Sequence, residues 1–212
     1  EKRISENSFM NESVMANGNW YKFKVDKSGV YKISGADLEN AGLTINSIIP
    51  SQIAVYGFGG MLNERNSDFR YSDIPELSII VEDGNDSKFD AVDYLMFYAA
   101  GPDTWEYSAT SNVFEHKTNV YDRNAYYYVH LKNEAGKRIK SLPLSEKEKT
   151  TEITSFDDYA IVEDENYNLI GSGRRWLGDK YDFTTSYTYN FDFENLVLGS
   201  QAFLRAKVVA RS

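Results

Sequence analysis

Cysteine is absent from the 212 residues, and histidine occurs only twice, at His116 and His130. The first absence excludes disulfides, thiolate nucleophiles and Cys-ligated zinc within this chain. It leaves the compartment open, because bacterial surface proteins also dispense with disulfides. No apolar run approaches the roughly 20 residues that a helix needs to span a bilayer. No signal-peptide pattern begins at Glu1, so a mature, soluble piece is expected. Basic residues are outnumbered, 23 Lys+Arg against 32 Asp+Glu, for a net charge of −9. Nucleic acid is therefore not an expected partner, since affinity for phosphates comes from clustered Lys and Arg. What abounds is aromatic, with 12 Phe, 3 Trp and 16 Tyr. That surplus excludes a disordered chain, and the length suits one large domain or two small ones with a real core.

The predicted fold class is mainly β, with one or two short helices. Residues 1–19 mix Ser, Asn and Glu without apolar periodicity and predict a flexible, loosely packed N-terminal arm. Trp20-Tyr21-Lys22-Phe23-Lys24-Val25 then alternates, placing Tyr21, Phe23 and Val25 on one face. With a turn at Asp26-Lys27-Ser28-Gly29 and a second strand Val30-Tyr31-Lys32-Ile33, this predicts a β-hairpin. Ser34 with Asp37 three residues on predicts a capped helix of two turns, ended by Gly42. Further strands are predicted at residues 52–56, 94–98, 125–131 and 138–140. The more continuously apolar residues 77–82 predict a central strand. Ser145-Glu146-Lys147-Glu148-Lys149-Thr150-Thr151 interrupts the aromatic rhythm as a linker. It separates a β-rich domain over residues 20–145 from the beginning of a β-sandwich over residues 152–212. Strands there are predicted at residues 159–162, 187–193 and 202–209. About 100 residues make such a sandwich, so the second domain is expected to be truncated.

Candidate chemistry is sparse. His130 lies within a strand, where a structural imidazole is expected, and His116 lies in the polar stretch Phe114-Glu115-His116-Lys117-Thr118-Asn119. Neither has an evident Ser or Asp partner in the sequence. Residues 82–93 place oxygens at several positions of a twelve-residue calcium loop. However, Gly84 stands third, the sixth position is not Gly, and Asp93 stands where a bidentate Glu is usual. An acidic turn is the preferred reading. Gly57-Phe58-Gly59-Gly60 follows a strand but lacks the Lys and helix of a phosphate loop, so a positive-φ turn is expected. Arg174-Arg175 is read as a solvated pair. Trp105 and Tyr107, in an expected loop, and Trp176 are possible sugar-stacking platforms, although Tyr and Trp more commonly fill β-cores. No catalytic, cofactor-binding or metal residue is assigned, and no cofactor is expected.

Several strings occur together in a telling order: Gly18-Asn19-Trp20-Tyr21-Lys22, Gly29-Val30-Tyr31-Lys32-Ile33, Val55-Tyr56-Gly57-Phe58-Gly59-Gly60-Met61-Leu62, Phe89-Asp90-Ala91-Val92-Asp93-Tyr94, and Phe97-Tyr98 with Gly101-Pro102. Asn168-Leu169-Ile170-Gly171-Ser172-Gly173-Arg174-Arg175-Trp176-Leu177-Gly178 follows. This series resembles the N-terminal region of the type IX secretion sortases (PorU-like), gingipain-related cysteine peptidases of Bacteroidota. The resemblance implies a parent enzyme that removes the C-terminal sorting domain of secreted cargo and transfers the cargo to a lipopolysaccharide anchor. It also implies that the catalytic Cys and His lie in a downstream domain. With no Cys in this chain, no catalytic residue carries over. The implied role is a non-catalytic region that scaffolds or presents the peptidase domain on the extracellular side of the outer membrane. Its implied partners are that domain, type IX secretion components, cargo proteins and surface lipopolysaccharide. Two alternatives stand beside it, a carbohydrate- or lipopolysaccharide-binding β module and an inhibitory or chaperone-like pro-segment.

Overall fold

The computed structural model describes residues 10–60, 71–111, 113–142, 150–171, 173 and 176–210. It is mainly β, and the chain divides into two compact units, Glu1–Leu144 and Ser145–Ser212.

Among the described residues of the first unit there are nine strands: β1 (Trp20–Val25), β2 (Gly29–Ser34), β3 (Ile53–Tyr56), β4 (Glu76–Leu77), β5 (Ile80–Glu82), β6 (Tyr94–Ala99), β7 (Thr104–Ser108), β8 (Val113–Lys117) and β9 (Ala125–Leu131). They form a four-stranded sheet ordered β1-β9-β3-β4, a three-stranded sheet ordered β2-β6-β5, and a two-stranded ribbon β7-β8. All of these ladders are antiparallel. The register sets Tyr21 opposite Val129, Phe23 opposite Tyr127 and Val25 opposite Ala125, so one face of the larger sheet is apolar. Tyr31 opposite Phe97 and Ile33 opposite Leu95 do the same on the smaller sheet. The two faces share one core with Ile53, Val55, Ile79 and Phe89. Within it, Phe23, Tyr31, Phe97 and Tyr127 stack or meet edge to face, with ring centroids 5.6 to 6.4 Å apart.

The expected hairpin is not formed. β1 pairs with β9 and β2 with β6, so the turn carries the chain from one sheet to the other. A turn signal specifies reversal, not shared membership of a sheet. Here the connection is clamped instead: Gly101 N–H donates to Ser28 Oγ at 2.8 Å, and Tyr31 hydroxyl donates to the Lys27 carbonyl at 2.8 Å. A Cβ on Gly101 would lie 2.8 Å from the Lys27 carbonyl carbon, so only glycine lets these two connecting segments approach this closely.

The expected central strand over residues 77–82 is also divided. β4 edges the larger sheet and β5 the smaller one, while Ile79, fully buried between them, bridges in parallel to Arg138. The continuous apolar run thus marks a passage through the core between two sheets. The strand predicted at residues 138–140 reduces to that same bridge. The capped helix forms as α1 (Gly35–Asn40), with Ser34 and Asp37 in a reciprocal capping box and Gly42 at φ +92° just beyond. Residues 10–19, expected as a loose arm, contain a 3₁₀ turn at Val14–Ala16 and are tied down by Asp73. Its carboxylate accepts from Ser13 Oγ at 2.8 Å and Val14 N–H at 2.5 Å.

The buried Tyr127 hydroxyl donates to the Ala100 carbonyl at 2.8 Å. Desolvation by burial pushes its pKa up to about 12, well above the ordinary phenol value of 10.0. A folded-state pKa above the unfolded one gives stability that is complete below about pH 10 and is lost as pH rises towards 12. Tyr127→Phe removes that term, so wild type minus variant stability, from urea titrations, is expected to fall between pH 10 and 12 and stay flat from pH 7 to 9.

In the second unit the described residues contain one isolated antiparallel bridge, Tyr167 to Leu177. The segments predicted as strands at residues 159–162, 187–193 and 202–209 carry no ladder among the described residues. Alternation tells which face each side chain would take, but a strand also needs a backbone partner, and none is described for these three.

Candidate functional site

An open cleft of about 600 Å³ lies beside the larger sheet of the first unit, lined by Val14, Tyr56, Glu76, His130, Lys132, Asn133 and Glu134. The sheet order assembles it. β3 supplies Tyr56, β4 supplies Glu76, and β9 supplies His130 with Lys132 just beyond its end. Lys132 Nζ sits 3.0 Å from Glu76 Oε2 and 3.1 Å from Glu134 Oε1. Glu76 also accepts from Lys137 N–H at 2.6 Å, so its carboxylate is fixed from two directions. Burial works to lower the Lys132 pKa, but its hydrogen bonds to Glu76 and Glu134 outweigh this and raise it, keeping the ammonium charged. Burial, reinforced by the Glu76 charge, raises the Tyr56 phenol and keeps it neutral.

His130 is a structural imidazole, as expected from its strand position. Its ring stacks on Trp20 at 4.2 Å and 6°, and Nδ1 lies 2.9 Å from the Asn19 carbonyl. A carbonyl only accepts, so Nδ1 bears the proton and, in the neutral ring, Nε2 is an acceptor. Tyr56 closes the cluster edge-on, 5.0 Å from Trp20.

His116 departs from expectation. It stands in β8, not in a loop, and the ribbon register sets it opposite Trp105. Its Nε2 lies 4.0 Å from Asp103 and its Nδ1 3.5 Å from Thr118 Oγ1, so it does have an acid neighbour. The chain order concealed this because strand pairing, not proximity in sequence, brings Asp103 across. Both separations exceed the about 2.6–3.2 Å of a working nucleophile–base pair.

Trp105 and Tyr107 likewise belong to β7 and not to a loop. Trp105, Tyr107, Phe114 and His116 share one ribbon face, with ring pairs 4.9 and 5.5 Å apart. Glu106 and Glu115 oppose each other on the other face, where Glu106 pairs with Lys117. Trp176 lies in the second unit, half exposed, donating to the Gly173 carbonyl at 3.3 Å.

Residues 82–93 fold as successive side-chain-capped turns. Asp83, Asp86 and Asp90 each accept from the backbone N–H two residues on, and Asp93 accepts from Asp90 N–H at 2.7 Å. Asn85 and Ser87 take positive φ there. The carboxylates thus serve as turn caps. No group of three or more potential metal-ligating side chains converges among the described residues. Gly57, Gly59 and Gly60 all have positive φ, as expected. A Cβ on Gly57 would fall 2.2 Å from the Tyr127 ring, so this turn serves packing. Arg174 and Arg175 lie outside the described residues. No described helix is long and apolar enough to cross a membrane.

The sequence pointed to none of Tyr56, Glu76, Lys132 and Glu134. Glu76 and Lys132 are 56 positions apart, and only the sheet order joins them.

The second unit offers a different surface. Phe183 is 100% exposed, Phe203 91% and Leu198 90%, and Ile153, Phe156, Leu204 and Val208 are similarly open.

Comparison with known proteins finds no matching family model and no matching curated protein. Among solved structures, the chain is similar to dimeric latent PorU from Porphyromonas gingivalis, at 31% identity and a TM-score of 0.49. The similarity covers 62% of this chain and 11% of that protein, so it concerns a small part of that protein's length.

Proposed function

We propose that this chain is a non-catalytic N-terminal region of a sortase-like, gingipain-related cysteine peptidase of type IX secretion. In this reading it acts at the cell surface, supporting the peptidase domain and presenting it to cargo. The ordered motifs from Gly18 to Gly178 are the basis for the family assignment. The residues they contain fill structural positions: Trp20 stacks on His130, Phe89 and Phe97 are in the core, and Gly101 sits against Lys27.

The observation that carries the supporting role is the second unit's surface. A protein rarely leaves many large apolar side chains in water. Phe183 and Phe203, both above 90% exposed, are the anchors that a partner polypeptide would cover. The peptidase domain of the parent protein is the partner assigned to them. Titration of that domain into the 212-residue chain is expected to give a one-to-one complex by sedimentation. Phe183→Asp with Phe203→Asp is expected to weaken it at least tenfold. An undiminished affinity in the double variant, or no complex, overturns the reading. Reduced peptidase activity on addition of the chain would favour the inhibitory pro-segment instead.

A second reading has its own observation. The aromatic ribbon face of Trp105, Tyr107 and Phe114 has the ring surface that stacks on pyranose faces. Titration with lipopolysaccharide and neutral glycans tests it through Trp fluorescence, and a flat response rejects it.

A further inference from the structure

We propose that the cleft between β3, β4 and β9 binds a cationic side chain, a guanidinium by preference, from a basic peptide segment. This concerns the first unit only and is independent of the partner assigned to the second.

Three features of the cleft argue for a cation. The first is charge. Two carboxylates, Glu76 and Glu134, share the single ammonium of Lys132, and Asp73 adds another carboxylate where it holds Val14 at the rim. Lys137 balances part of this, but its ammonium lies on the Glu76 backbone carbonyl at 3.4 Å and not on a cleft carboxylate. The second is hydrogen-bond polarity. The carboxylates are acceptors, and Lys132 is a donor already engaged by both of them. The cleft therefore suits a ligand rich in donors, and a guanidinium has five N–H donors and no acceptor. The third is the wall. The partly exposed His130 and the largely buried Tyr56 line it, 6.5 Å apart at 62°, with Trp20 stacked behind His130. Aromatic rings attract cations, and a planar guanidinium lies flat on them better than an ammonium.

Glu134 is placed to engage the ligand. Its side chain is 78% exposed at the mouth, whereas that of Glu76 is 11% exposed and pinned by Lys132 and Lys137. An incoming guanidinium can pair with Glu134 in a two-pronged geometry while Lys132 keeps Glu76.

The test uses the 212-residue chain and Nα-acetyl-arginine amide, followed by amide chemical shifts of Tyr56, His130 and Lys132. Saturable binding near about 1 mM, typical of weak single-site recognition, is expected. The neutral isostere Nα-acetyl-citrulline amide is expected to bind at least tenfold more weakly, as is the arginine probe to Glu134→Gln. Glu82→Gln, an exposed carboxylate on a different sheet, is expected to bind as wild type. No saturable shift at these residues, equal binding of the citrulline probe, or equal losses in Glu134→Gln and Glu82→Gln each overturn the proposal.

Discussion

Replacing Phe97 with alanine is expected to destabilise the first unit by about 3–5 kcal/mol, measured by urea unfolding. Phe97 is 1% exposed, on the central strand of the smaller sheet, and its ring meets Phe23, Tyr31 and Tyr127. Truncation removes the burial of an aromatic ring and leaves a cavity that the two sheets cannot close without breaking other ring contacts. A loss of this size is a large share of the about 5–15 kcal/mol that keeps a domain folded. Phe97→Leu keeps most of the volume and is expected to cost less than half as much. A Phe97→Ala loss below about 1 kcal/mol would mean that the two sheets do not share this core.

The second large effect is expected at Arg138. Its guanidinium donates to four carbonyls: Nη1 to Ile53 and Lys137, each at 3.0 Å, and Nη2 to Pro50 at 2.7 Å and Ser51 at 3.0 Å. Three of these carbonyls, those of Pro50, Ser51 and Ile53, mark the entry to β3, and Arg138 is also the residue that bridges to the buried Ile79. Burial lowers its pKa, yet guanidinium remains charged at any physiological pH. Arg138→Met would take this donor from the Pro50 and Ile53 carbonyls, while those of Ser51 and Lys137 keep the N–H groups of Gly136 and Ile79. At about 1–3 kcal/mol for each such unpaired group, with water recovering some of it, a loss of about 2–4 kcal/mol is expected. Arg138→Lys is expected to recover less than half, because an ammonium is a point donor and cannot reproduce the fork. Full rescue by lysine would show that charge alone matters there.

Much of the first unit was legible because its faces follow period-two alternation. Tyr21, Phe23 and Val25 point to the core as their spacing demands, and the Ser34–Asp37 box caps the helix where local chemistry places it. Pairing was not legible. The turn at residues 26–29 looks the same whether β2 joins β1 or crosses to β6, and the deciding contact, Gly101 on Ser28, is 73 positions away. The apolar run at residues 77–82 matches a central strand as well as a passage between sheets. Gly101-Pro102-Asp103 signals a turn, and β7 begins directly after it, so the ribbon looks like a loop in the sequence. The cleft was not legible because no single stretch of sequence holds Glu76, Lys132 and Tyr56 together. In the second unit, alternation across Tyr187, Tyr189, Phe191 and Phe193 identifies a strand-competent segment, yet a ladder depends on a neighbour that the pattern cannot name.

The first unit is expected to be a self-sufficient fold, and the proposed role of the second is to expose a surface for the peptidase domain. Amide hydrogen exchange on the 212-residue chain, alone and with saturating peptidase domain, separates these outcomes. Slow exchange is expected in β1, β3, β6 and β9 under both conditions. Fast exchange is expected over residues 153–163, 187–193 and 202–209 in the chain alone, becoming slow when the peptidase domain is added. Protection of those segments in the chain alone, or fast exchange that persists with the peptidase domain present, would contradict the proposed role.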